Sequence, residues 1–271
     1  MTGLAAAQNR IADNFLFTLI RKGFLYVLDM GLVFLPLFIL YFFLRGLPTD
    51  RVGLATGNAL RIIEFEKALF VFHEESWQEF ARESPRLVEL ANYTYLHLHM
   101  PLLLVVGFVF LVTDARKHRV LRNAILLSAF VAVPIYAAFP VTPPRLLVKS
   151  GEYAYNFVDT IPDKTRARPG GWANWYAAMP SYHFGWIFIA VAGCWWCYKN
   201  AIIRGVATAF AGLMWWAIVV TGNHYFLDMV VGAAIVSGCF YLALRFERWA
   251  DANPEKVSRF TVRVGELRLP F

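Results

Sequence analysis

Runs of mostly apolar residues, near the length of about 20 that carries an α-helix across a bilayer, recur along the chain. They fall near 24–44, 94–113, 123–140, 181–199, 203–222 and 225–244. This pattern predicts an all-α polytopic membrane protein with six transmembrane helices. Because the runs cover the chain throughout, the expectation is a single membrane domain over 1–271 rather than a soluble domain with an anchor. Residues 1–20 lack the apolar core and small-residue cleavage site of a usual signal peptide.

Two intervening stretches are too polar to span. Within 46–92, the residues of 57–90 interleave Leu60, Ile63, Ala68, Phe70 and Phe72 with charges at loosely helical spacing. Helices lying along the outer interface as a lid are expected there. The run His73-Glu74-Glu75 reads as a solvated helix face, since adjacent helical residues diverge and no HExxH spacing is present. The second stretch, 140–180, starts Pro140-Val141-Thr142-Pro143-Pro144-Arg145 and turns rich in Pro, Gly and Arg. A loop of that length in a compact domain is usually functional.

Composition agrees with the pattern. The chain is 58% hydrophobic and 17% aromatic, too apolar for a water-facing exterior at 271 residues. The formal net charge of +7 would raise nucleic acid in a soluble protein, but here the basic residues cluster between apolar runs. That points to topology and anionic headgroups instead. Arg10, Arg21 and Lys22 precede the first run. Arg116, Lys117, Arg119 and Arg122 sit between the second and third, Lys199 and Arg204 between the fourth and fifth. Arg245, Arg248, Lys256, Arg259, Arg263 and Arg268 follow the last. The positive-inside rule therefore places both termini in the cytoplasm and 45–93, 140–180 and the turn at 221–225 outside. Asp29, near the inner end of the first run, is expected to reach the interface. Cys194, Cys197 and Cys239 all lie in apolar runs, so no disulfide framework is expected, and Cys194-Trp195-Trp196-Cys197 lacks the strand-to-helix setting of a redox motif.

Candidate chemistry concentrates at the outer ends of the runs. In Gly222-Asn223-His224-Tyr225-Phe226-Leu227-Asp228, the spacing of His224 and Asp228 predicts one shared helical face. A carboxylate there would fix the imidazole tautomer and leave the other nitrogen as base or nucleophile. Ionisable groups in a membrane segment default to a functional hypothesis. In Ala178-Met179-Pro180-Ser181-Tyr182-His183, Pro180 and Ser181 suit a helix start, a ready anion site, and His183 is placed to donate a proton. Pro143-Pro144-Arg145 stiffens the chain around a guanidinium suited to phosphate. Lys149, Lys164, Arg166 and Arg168 follow on the same loop, a basic cluster on the outer side that asks for an anion. Tyr182, Asn223 and Tyr225 beside the histidines are expected substrate contacts. His97, with Tyr95 and His99 at the start of the second run, is another.

These motifs resemble those of the type 2 phosphatidic acid phosphatase superfamily, in its inositol phosphorylceramide synthase-like branch. Pro180-Ser181-Tyr182-His183 is similar to the Pro-Ser-x-His motif and His224-Tyr225-Phe226-Leu227-Asp228 to the His-x-x-x-Asp motif. Pro143-Pro144-Arg145 is similar to the proline-rich element of that branch. The resemblance implies six membrane helices and a metal-independent reaction without cofactor. It implies His224 as nucleophile, Asp228 as its orienting partner and His183 as general acid, with Ser181 and Arg145, helped by Lys149 and Arg168, on the phosphate. The implied partner is a membrane lipid phosphate or phosphodiester, with an alcohol, a lipid or water as acceptor. Two departures stand out. Lys164 and Arg168-Pro169 are too close for the phosphatases' Lys-x6-Arg-Pro element. Ala217 and Ile218 stand where the phosphatases have Ser-Arg. One phosphate-binding arginine is thus missing from its usual place, which favours head-group transfer over simple hydrolysis. A non-enzymatic lipid transporter is the competing class, but the chain shows no paired halves or broken helices.

Overall fold

The computed structural model describes residues 2–47, 51–147, 155–162, 174–259, 261–264 and 267–270, with side chains described between 14 and 261. It begins with helix α1 (Thr2–Asp29), which runs through a π-turn (Met30–Phe34) into α2 (Leu35–Gly46). Three helices follow, α3 (Val52–Ala68), α4 (Glu74–Arg82) and α5 (Pro85–Tyr93). A second π-turn (Thr94–Leu98) joins α5 to α6 (His99–Thr113), and α7 (Ala115–Ala138) comes next. Beyond them lie α8 (Pro144–Leu147), α9 (Tyr182–Cys197), α10 (Ala201–Val220), α11 (Phe226–Ala252) and α12 (Pro254–Val257). A short antiparallel hairpin, β1 (Thr261–Val264) with β2 (Leu267–Pro270), ends the described chain and was not anticipated from the apolar pattern.

Local chemistry sets several boundaries. Asp114 caps α7 by accepting the Arg116 N–H at 2.9 Å, and Asn200 caps α10 by accepting from Ile202 and Ile203. Pro85 occupies the first turn of α5, where a missing N–H costs nothing. The α10–α11 turn needs Gly222 at φ +66°; a Cβ there would also press on Arg145 Cβ and Val158 O at 3.1 Å.

Five segments among the described residues are long and apolar enough to cross a membrane: Asn14–Gly46, Pro85–Thr113, Ala115–Ala138, Ala201–Val220 and Phe226–Ala252. This is an integral membrane protein of all-α class. The run predicted at 181–199 is an apolar helix of only 16 residues, Tyr182–Cys197. At 1.5 Å per residue it rises about 24 Å, short of the ~30 Å hydrocarbon core. It packs against α6, α7, α10 and α11, and Tyr182, Phe184, Trp186, Ile187, Ile189, Ala190 and Cys194 are buried in the main core. Gly232 lets α9 seat on α11, because a Cβ there would lie 2.3 Å from the Ser181 carbonyl oxygen.

The helices α3–α5 do cover one end of the bundle. Ala59, Ile62 and Ile63 of α3 pack with Val141, Ala178, Met179 and Tyr225. Ala81 and Ala91 pack on Ala217 and Val220 of α10. Glu74, expected on a solvated face, is instead buried. Its burial follows from the tertiary position of α4, whose Gln78 bonds to both Val158 and Val220.

Charges near the other end also differ from expectation. Asp29 does not reach an interface. It is fully buried, hydrogen-bonded to His118 Nε2 at 2.8 Å and paired with Arg122. Arg119 pairs with Glu247 at 2.8 Å. Helix α7 starts at Ala115, so Arg119 and Arg122 lie on its early turns, buried against α1 and α11, rather than in a loop. A buried charge is tolerated when a neighbouring helix supplies its counter-charge.

Candidate active site

A cavity of about 290 Å³ opens at the end of the bundle where α2 ends and α6, α9 and α11 begin. His183, His224, Arg145, Asn223 and Tyr182 line it, and aromatic residues of α2, α6 and α7 form much of its wall.

His224 sits in the turn between α10 and α11, one residue before the helix N-cap Tyr225. It therefore does not share a helical face with Asp228, as the spacing predicted. Asp228 lies in the first turn of α11 and reaches back out of it. Its Oδ2 accepts the Tyr225 N–H at 2.9 Å and lies 3.3 Å from His224 Nδ1. The shorter contact of Nδ1, 2.8 Å, is to the carbonyl oxygen of Ala178. A carbonyl only accepts, so Nδ1 carries the hydrogen and the neutral ring leaves its lone pair on Nε2. Nε2 has no hydrogen bond among the described residues, and His224 faces the cavity.

His183 is in the first turn of α9, behind the extended N-cap Ser181. Its ring stacks on Tyr95 at 4.4 Å and lies 4.8 Å from His99 and 6.0 Å from His224. His99 in turn stacks parallel to Trp186 at 5.7 Å. The π-turn at Thr94–Leu98 precedes His99 and carries Tyr95, so one wider turn presents both rings to the cavity; such turns concentrate at functional sites.

Arg145 extends from the single-turn helix α8. Its Nε donates to Asn223 Oδ1 at 2.8 Å, Asp159 lies 3.7 Å from a terminal nitrogen, and Trp175 lies 5.4 Å from its guanidinium carbon. The Arg145 backbone N–H also donates to Gly222 O at 2.9 Å, tying α8 to the His224 turn.

Three expected contacts fall elsewhere. Ser181 is wholly buried below the cavity and its Oγ has no partner. Tyr225 is fully buried and donates to Thr142 O at 3.0 Å, away from the cavity. His97 is exposed and tilts against Tyr93 at 5.1 Å. In each case adjacency in sequence did not carry over: Ser181 and Tyr225 are the extended N-caps of α9 and α11, and His97 lies in the π-turn ahead of α6. Lys149, Lys164, Arg166 and Arg168 lie outside the described residues.

Two buried carboxyls beneath the site escaped sequence reasoning. Glu66 Oε1 accepts the Leu227 N–H at 2.7 Å and Glu74 Oε1 accepts the Phe226 N–H at 2.9 Å. These are otherwise unsatisfied donors of the α11 N-terminus. The remaining oxygens are buried with no other partner, and the two carboxyls contact each other. A proton shared between them would satisfy both. Burial, and then Glu74, pushes Glu66 up to about 10; burial also raises Glu74. Their apolar neighbours Ala68, Phe70 and Phe72 gave no signal for this, since α3 and α4 meet α11 only in the folded chain.

A polar cavity holding two histidines and an arginine, set into a membrane helical bundle, is the kind of site these features define. The sequence profile of the PAP2 superfamily matches residues 60–242, more than half of the chain. This protein belongs to the PAP2 superfamily. Membership supports phosphatase- or phosphotransferase-type chemistry on a membrane lipid phosphate. The crystal structure of Aquifex aeolicus LpxE is similar over 63% of this chain and 93% of that one, at 18% identity and a TM-score of 0.46. A search of curated proteins returned no match.

Proposed function

We propose that the protein is a lipid phosphotransferase of the inositol phosphorylceramide synthase-like kind, working through a phospho-histidine on His224. The observation that carries this reading is the Ala178 contact, which leaves the lone pair of His224 on Nε2, on a ring that lines the same cavity as His183. Nε2 attacks phosphorus, and the bond from phosphorus to the leaving oxygen breaks. His183 gives that oxygen its proton. In the second step an acceptor hydroxyl loses its proton to His183 and attacks phosphorus, and the P–N bond breaks. Asp228 steadies the positive ring in between, while Arg145 holds phosphoryl oxygens. No metal or cofactor is required by these steps.

A volume near 290 Å³ holds a headgroup but not two acyl chains. The tails then lie in the bilayer, past the apolar wall formed by Phe38 and Phe42 of α2 and Met100 of α6. The charge pattern supports cytoplasmic termini and a site at the outer face. Water is the alternative acceptor, which would make the protein a lipid phosphate phosphatase.

The test is a labelled lipid phosphate or phosphoinositide given to the purified protein in EDTA, with and without a lipid alcohol. A labelled phospholipid that requires the alcohol is the expected product. Free phosphate independent of alcohol would replace transfer by hydrolysis. No product from any donor, with inhibition by none of them, would leave the transporter class standing.

A further inference from the structure

Arg45, in the last turn of α2, lines the same cavity as His183, His224 and Arg145. Nothing in the motifs pointed to it, as it lies well before their first residue. Its Nε is buried without a hydrogen-bond partner, and no carboxylate pairs with it among the described residues. Two other arginines drawn into the bundle are paired with carboxylates: Arg119 with Glu247, Arg122 with Asp29. A guanidinium on a spanning helix is costly without a counter-charge. Attraction to the carbonyl end of α2 offsets only part of that cost. The residue is held in place by faces that make no ionic demand, with Tyr136 5.6 Å and Phe42 6.0 Å from its guanidinium carbon. Tyr136 in turn donates to the Pro180 carbonyl at 3.1 Å, so Arg45 is indexed to the strand of chain that presents His183.

We infer that Arg45 is a second phosphoryl-binding residue, recruited from α2 to supply the arginine missing where Ala217 and Ile218 stand. Ala217 and Ile218 are both fully buried, so nothing on α10 at those positions reaches a ligand. The ligand chemistry is an anionic phosphoryl group held between Arg45 and Arg145. This deepens, and rests on, the proposed lipid phosphoester reading. It also removes one reason for preferring transfer, since the site then has two arginines as a phosphatase would.

The test uses the full chain in detergent carrying His224→Ala, titrated with inorganic phosphate by calorimetry. Adding Arg45→Gln is expected to weaken phosphate at least about tenfold, the scale of one charge-assisted contact. Arg45→Lys is expected to recover part of that loss. Unfolding temperatures without phosphate that match the parent separate a lost contact from a lost fold. In the active chain Arg45→Gln is expected to raise KM for a lipid phosphate while kcat changes less. Unchanged phosphate affinity in Arg45→Gln, or no phosphate binding by the parent, overturns the inference. Arg45-dependent phosphate binding in a protein that turns over no lipid phosphoester upholds the anion site and overturns the proposed function. Turnover by the chain with His224 intact, with KM and phosphate affinity indifferent to Arg45, does the reverse.

Discussion

The carbonyl oxygen of Ala178 lies 2.8 Å from His224 Nδ1, closer than Asp228 Oδ2 at 3.3 Å. The tautomer of His224 is therefore set by the backbone just before the Pro180-Ser181 turn. In the proposed reaction Asp228 has the other task, stabilising positive charge when the ring is phosphorylated. The two motifs are thus one device, since moving the 178–181 segment moves the proton on His224.

His224→Ala is expected to abolish turnover with the unfolding temperature unchanged. Asp228→Asn should keep the tautomer, held by Ala178, yet lower kcat by on the order of 10²-fold. Steady-state kinetics with a phosphoryl-lipid donor check both. An Asp228→Asn enzyme at parental kcat would show that the carboxylate only caps α11.

The Glu66–Glu74 pair predicts how stability depends on pH. Burial, and then Glu74, pushes the Glu66 carboxyl up to about 10, whereas a free glutamate carboxyl releases its proton near 4.5. Between those values the unfolded chain has released a proton that the folded chain still holds. The pair's contribution to stability is then greatest at low pH and is lost as pH rises through that window. The unfolding temperature in detergent should decline between about pH 5 and about pH 9. Glu66→Gln, which keeps the acceptor for the Leu227 N–H, should flatten that decline. An equal slope in Glu66→Gln would mean that the pair does not hold the proton.

Gly232→Ala places a methyl 2.3 Å from the Ser181 carbonyl, a backbone atom that cannot swing aside. The α9 start must shift on α11, at a cost of about 1–3 kcal/mol. His183 moves with it, so both unfolding temperature and kcat should fall. Gly238→Ala, on the same helix with open space around it, is the control that should leave both unchanged.

Asp29 lies 16 positions before Arg45 on the first spanning segment, about 24 Å along a helix. Asp29→Ala strands Arg122 and His118 in the bundle, and loss of one partner of a buried pair costs about 3–5 kcal/mol. Thermal unfolding should register that loss. The kcat of the protein that remains folded should stay near the parent's, as the cluster lies away from the cavity.

How far the sequence reached depends on the range of the physics involved. Apolar runs are read locally, because a bilayer demands length and polarity from each helix separately. The all-α membrane class and the segments later found as spans follow from that alone. The same holds for His183, His224 and Asp228, whose spacings sit inside short turns. The 181–199 run shows the limit: its composition marks a span, but how far α9 extends at that end depends on what covers it. Tertiary structure alone brought Ala178 to His224, and Tyr95 and His99 to His183; it also set Arg45 and Arg145 around one cavity. Those contacts join residues far apart in the chain, and no local periodicity encodes them. It also buried Glu66 and Glu74, which the sequence presents as ordinary charges on amphipathic helices, since a carboxyl's surroundings are decided by the elements that close over it.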